Sequence, residues 1–129
     1  VTSPPFLDVI DYASDNWLRC WFNNINTEEI TKNITVTKSL EEWESFIYDT
    51  FIEFKRILKP DGMIAFEVGE IRKGKIKLED NVISIAQKVG FNIEAVMINK
   101  QNFTKTANIW GVTNNLKGVN TNRIVILRK

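Results

Sequence analysis

Between Ser39 and Gly62 the sequence carries one long amphipathic period, and this stretch constrains the fold more than any other. Leu40, Trp43, Ile47, Phe51, Phe54 and Leu58 recur at steps of three and four, which places them on one face of a helix over Leu40–Leu58. Ser39 and Glu42 form a capping box at its start. Lys59-Pro60-Asp61-Gly62 stops the helix and turns the chain. Met63–Val68 then reads as a mostly buried strand, and Gly69–Lys77 as a charged loop. Leu78–Val89 is a second amphipathic helix with Val82, Ile85, Ala86 and Val89 inward, ended by Gly90. Phe91–Asn99 reads as a strand and Lys100–Val119 as a long polar loop or hairpin arm holding Phe103 and Trp110. Thr121–Arg128 closes the chain as a strand whose core is Ile124, Val125, Ile126 and Leu127. Helix and strand alternate up to Gly90, which predicts an α/β sheet with crossover helices. No helix separates the last two strands, so they are expected to be antiparallel neighbours. The fold predicted is a mostly parallel sheet with an antiparallel final strand.

Composition removes several kinds of chemistry. The chain has 129 residues, 43% hydrophobic and 26% charged, enough for one domain with a real core. The net charge of +1 announces no polyanion partner by itself. There is no histidine, which excludes Ser-His-Asp and Cys-His catalysis and His-ligated metals. The single Cys20 excludes an internal disulfide and a cysteine metal cluster, and its place between Arg19 and Trp21 suits a small core residue. No apolar run approaches a membrane span, and an intracellular, cytoplasmic setting is expected. The chain opens inside an apparent strand without a Met, so it is expected to be a fragment of a longer protein.

The opening residues Val1-Thr2-Ser3-Pro4-Pro5-Phe6 read as the end of a buried strand breaking into a stiff extended turn. Two readings stand side by side: a plain strand terminator, or a set of rigid carbonyl acceptors beside a hydroxyl and an aromatic face, suited to a planar group bearing an NH₂. Further on, Asp15 is a candidate N-cap for a helix with Leu18, Trp21 and Phe22 on its apolar face. Asp8, Asp11 and Asp15 share one helical face if that helix starts early, most simply a solvated one. Residues 23–38 are rich in Asn and Thr and read as a surface loop with a short helical turn at Thr27–Ile30.

Two patterns are set aside. Gly69-Glu70-Ile71-Arg72-Lys73-Gly74-Lys75-Ile76 matches a phosphate-binding loop except at its last position, where Ile76 stands for the Ser or Thr that binds magnesium. Its interior is long and charged, and a solvated basic loop explains it better than nucleotide hydrolysis does. Glu67 lies within a strand and Glu70 just past it, a spacing that fixes no acid/base geometry.

Thr2-Ser3-Pro4-Pro5-Phe6 closing a strand resembles the catalytic motif of the AdoMet-dependent DNA amino-methyltransferases, of cytosine-N4 or adenine-N6 type. In that family a polar residue, two prolines and an aromatic follow the fourth strand. Arg56-Ile57-Leu58-Lys59-Pro60-Asp61-Gly62-Met63 is similar to the helix–turn–strand that comes next. Phe91–Asn99, Thr121–Arg128 and Asn122-Arg123 are similar to its last two strands, so the resemblance covers essentially the whole chain.

The resemblance implies a Rossmann-like class I methyltransferase half-sheet, with residues 1–129 a single partial catalytic domain. It implies methyl transfer from S-adenosyl-L-methionine to the exocyclic amine of a flipped DNA base, in a setting such as restriction-modification. Ser3 and the Pro4 carbonyl are then expected to accept hydrogen bonds from the NH₂, with Pro5 completing the turn, Phe6 stacking on the base and Thr2 beside it. Trp110 either closes the other side of the pocket or packs into the core. Serine in the first motif position leans toward cytosine. The family also needs a glycine-rich AdoMet loop and an acidic residue after the second strand. The glycines at 62, 69, 74, 90, 111 and 118 form no such loop. The main cofactor-binding loop is therefore expected to lie outside this chain, and the fragment to be inactive alone. Two alternatives stay open: an RNA base amino-methyltransferase, and a non-catalytic nucleic-acid-binding module of the same fold. No metal and no membrane partner is expected.

Overall fold

The computed structural model describes residues 1–5, 7, 12–32, 34–35, 37, 39–71, 76–100 and 121–129. In chain order its elements are α1 (Tyr12–Asp15), α2 (Trp17–Phe22), α3 (Thr27–Thr31), α4 (Leu40–Ile57), β1 (Met63–Ile71), β2 (Ile76–Lys77), α5 (Leu78–Val89), β3 (Asn92–Lys100) and β4 (Thr121–Arg128). They divide into two compact units, one made of Val1–Pro4 with Glu44–Lys129 and the other of Pro5–Trp43.

The larger unit is built on a sheet in the order β2-β1-β4-β3. β4 pairs antiparallel with β1, from Met63↔Arg128 to Gly69↔Asn122. It also pairs antiparallel with β3, from Asn92↔Arg128 to Lys100↔Thr121, with an irregularity between Ile93 and Ala95. The last two strands are antiparallel neighbours, as expected. The antiparallel final strand is as expected, while parallel ladders are not shown, because every ladder between these named strands is antiparallel. The cause is the place of β4. It enters between β1 and β3 and opposes both, so those two run the same way without being neighbours. Among the described residues, parallel pairing is confined to the isolated bridge Thr2↔Phe66.

Both long helices cover one face of this sheet. Ile64, Phe66 and Val68 are buried and alternate with the half-buried Ala65, Glu67 and Gly69, the period of two of a strand. The register sets Phe66 opposite Val125 and Ile64 opposite Leu127, all buried. Ile124 and Ile126 are only half-buried, since alternation sends them to the other face. Phe51 of α4 meets Phe66 edge-on, with centroids 5.0 Å apart, and Phe91 at 6.0 Å. α5 buries Leu78, Val82, Ile85 and Ala86. Lys55 Nζ donates to the carbonyls of Val89 and Gly90 at 2.7 and 3.0 Å, placing a cation where the unpaired carbonyls of α5 collect. Gly90 itself stands at φ 90°, the left-handed stop expected of it.

Other boundaries moved. α4 ends at Ile57, one residue early. Both ends of the expected 69–77 loop are strand, because β1 continues to Ile71 and β2 folds back on it through Glu70↔Lys77 and Ile71↔Ile76.

In the smaller unit Asp15 does not cap a helix. It closes α1, and Asn16 precedes α2 without a side-chain cap bond, its Oδ1 taking Arg19 Nη1 at 2.9 Å instead. The expected burial of Leu18, Trp21 and Phe22 is also corrected: they are 56%, 72% and 79% exposed. A helix of six residues makes under two turns, too few to form a continuous stripe. The turn expected at Thr27–Ile30 is α3, capped by the Asn26 side chain accepting the Glu28 N–H at 2.9 Å. Ser39 Oγ accepts the Glu42 N–H at 3.1 Å, the N-cap bond read from the capping box.

Candidate active site

The opening turn is held by backbone bonds to β1. The Thr2 N–H donates to the Ala65 carbonyl at 3.0 Å, and the Glu67 N–H donates to the Thr2 carbonyl at 2.9 Å. The chain therefore leaves the sheet at Ser3. Pro4 has no N–H to continue a ladder, and it holds Ser3 extended. Ser3 is exposed and Pro4 half-buried.

The side chains on either side of this bridge divide between two faces. Thr2 lines an open apolar hollow of about 280 Å³ with Val1, Phe54, Ile57, Leu58, Met63 and Ile64, on the α4 side. Ser3, the next residue along extended backbone, falls on the other face. In register with that face is Glu67, half-buried, whose carboxylate accepts the Asn122 side-chain amide. No local pattern signals this, since Glu67 meets Thr2 through a parallel pairing that joins residues far apart in the chain.

Pro5 belongs to the smaller unit, where its carbonyl accepts the indole Nε1–H of Trp43 at 3.2 Å. Trp43 is 1% exposed. The periodicity of α4 presented it only as one more apolar position. Phe6 and Trp110, expected to stack on and close over a base, lie outside the described residues, as do Asp8 and Asp11. The phosphate-loop pattern is taken up in part by the β1–β2 pairing, with Gly69 opposite Asn122 in the β1–β4 ladder. Among the described residues no helix is long and apolar enough to cross a membrane.

No protein-family model and no curated protein matches the sequence. Two solved structures match in fold, both of a proposed DNA modification methylase from Thermus thermophilus. One, complexed with S-adenosyl-L-methionine, aligns over 100% of this chain and 46% of its own, at a TM-score of 0.50 and 19% identity. The chain shares its fold with that methylase. The other, a selenomethionine derivative, aligns over 70% of this chain and 39% of its own, at a TM-score of 0.49 and 22% identity. This chain thus spans less than half the length of either structure.

Proposed function

We propose that this chain is part of the catalytic domain of an S-adenosyl-L-methionine-dependent methyltransferase acting on an exocyclic amine of DNA, cytosine N4 or adenine N6. The observation that carries the reading is the state of the Ser3-Pro4-Pro5 turn. It follows an isolated parallel bridge from Thr2 to β1, and among the described residues the Ser3 hydroxyl and the Pro4 carbonyl have no hydrogen-bond partner. The fold shared with the methylase complex supports it, and so does the absence of histidine, since amine methylation needs no such nucleophile.

The turn serves this chemistry by accepting. A flipped base presents an NH₂ whose lone pair is delocalised into the ring. Ser3 Oγ and the Pro4 carbonyl receive its two N–H groups, which draws the nitrogen toward a geometry that exposes the lone pair to an electrophile. Rigid acceptors made by a proline pair hold that geometry without reorganisation. Phe6 stacks on the base in this reading, Pro5 completes the turn, and Thr2 and Trp110 are assigned to its surroundings. The cofactor supplies the methyl group. The residues of this chain offer it no glycine-rich turn, so none of them is assigned to bind it.

A methyl-transfer assay with the full-length protein on duplex DNA and on structured RNA tests the substrate. Transfer to DNA, with N4-methylcytosine or N6-methyladenine in the digest, is expected. Transfer to RNA alone favours the RNA enzyme, and nucleic-acid binding without transfer to either favours the binding module.

A further inference from the structure

Ser3, Glu67 and Asn122 belong to the larger unit and share one sheet face. The bridge Thr2↔Phe66 sets Ser3 beside Glu67, each one residue past the bridged pair. In the β1–β4 ladder Glu67 stands opposite Ile124, and Asn122, two residues before Ile124, is on the same side of that strand. The Asn122 side-chain amide donates to the Glu67 carboxylate across the ladder. Both residues are half-buried. Along their own strands their neighbours on this face are Ala65, Gly69 and Ile124, so the amide and the carboxylate form a polar pair among small and apolar residues. Asparagine is depleted in strands, and here it supplies a donor without a charge. Other carboxylates of the same unit differ. Glu53, Glu79 and Glu94 face Arg56, Arg123 and Arg128. An arginine holds a carboxylate as half of an ion pair. A neutral amide fixes the direction of a carboxylate and leaves its charge for another partner.

We propose that Asn122 is a positioning residue for methyl transfer: its amide turns the Glu67 carboxylate toward the amine held at Ser3 and Pro4, so that Glu67 takes the proton the amine sheds. The inference rests on the proposed function above and deepens it. The new N–C bond forms with the nitrogen lone pair as the methyl–sulfur bond breaks, its electron pair staying on sulfur. The nitrogen then carries the positive charge that sulfur held. It loses that charge by giving one N–H proton to Glu67, which becomes a neutral acid, and the product is an uncharged methylamine. A carboxylate left to rotate about its side-chain bonds is misplaced for this transfer. Errors of about 1 Å reduce rate by roughly a hundredfold. Asn122 acts here through Glu67, so it is not a catalytic residue.

The test is a double-mutant cycle in the full-length protein, assayed on duplex DNA as wild type, Asn122→Leu, Glu67→Gln and the two together. Asn122→Leu keeps the volume and removes the amide. Its kcat is expected to fall about tenfold to a hundredfold, with KM for DNA and the Kd for S-adenosyl-L-methionine unchanged. In the Glu67→Gln protein the same change is expected to cost nothing further, since no carboxylate is left to turn and the two residues act as a unit. A merely structural asparagine gives losses that multiply instead. Wild-type kcat in either single variant, or multiplied losses in the double variant, overturns the inference. Should Asn122→Leu fail to fold, Asn122→Ser, too short to reach the carboxylate, takes its place in the cycle with the same outcomes. Wild-type protein that transfers no methyl group at all removes the proposed function and this inference together. Active wild-type protein with a fully active Asn122→Leu protein removes this inference alone.

Discussion

Thr2 and Phe66 pair in parallel, and the ladder they begin ends at once, with the Glu67 N–H on the Thr2 carbonyl at 2.9 Å. That relationship places the Ser-Pro-Pro turn just past a single parallel bridge to an inner strand of the sheet, with a carboxylate next to it in register.

Glu67 shares the sheet face of Ser3, and its side chain is held by the Asn122 amide. It is the described carboxylate in register with the turn, and under the proposed function it receives the proton the amine loses. Glu67→Gln keeps the shape and removes the charge. In the full-length protein the rate of methyl transfer is expected to fall about a hundredfold, within the range for a lost general base. An unchanged rate takes Glu67 out of the proton's path.

The C-terminus of α5 depends on a glycine and a lysine from α4. A Cβ at Gly90 stands 2.5 Å from Lys55 Nζ, and the residue is held at φ +90°. Gly90→Ala is expected to destabilise the protein by about 1–2 kcal/mol, from left-handed strain and displacement of the lysine. Lys55→Met removes two donors from the Val89 and Gly90 carbonyls and is expected to cost about 1 kcal/mol. Urea melts measure both. The double variant is expected to fall short of the sum, since each change disturbs the same cap.

Arg123 of β4 and Glu79 of α5 form a pair at 2.5 Å with side chains 12% and 9% exposed. Glu79 Oε2 has no hydrogen-bond partner among the described residues. Arg123→Met leaves the carboxylate buried without its principal cation and is expected to cost about 3–5 kcal/mol. Arg123→Met with Glu79→Leu is expected to recover most of that loss, because the desolvated charge is gone as well. Equilibrium denaturation of the two variants checks this; a double variant as unstable as the single one contradicts it.

The larger unit was legible wherever one period dominated. Leu78–Val89 and Thr121–Arg128 have the bounds expected from their patterns, and the stop at Gly90 follows from needing a left-handed residue there. The sheet order was harder to read, because insertion of β4 between β1 and β3 depends on pairing across a long stretch of chain. Trp17–Phe22 misled for a different reason. Its apolar residues have helical spacing, yet a six-residue helix exposes most of them. In the candidate site the Ser3-Pro4-Pro5 turn declared itself through proline chemistry. Glu67 and Trp43 did not. One meets the turn through a parallel bridge, the other through a single indole bond, and neither leaves a local pattern.

Ser3→Ala in the full-length protein, assayed for transfer of labelled methyl from S-adenosyl-L-methionine to duplex DNA, tests the account most directly. The hydroxyl is one of two acceptors assigned to the amine. Its loss is expected to lower kcat by at least about a hundredfold while cofactor binding stays at the wild-type level, in line with removal of one preorganised group. Wild-type kcat in the Ser3→Ala protein contradicts the assignment of the turn as the methyl-acceptor site.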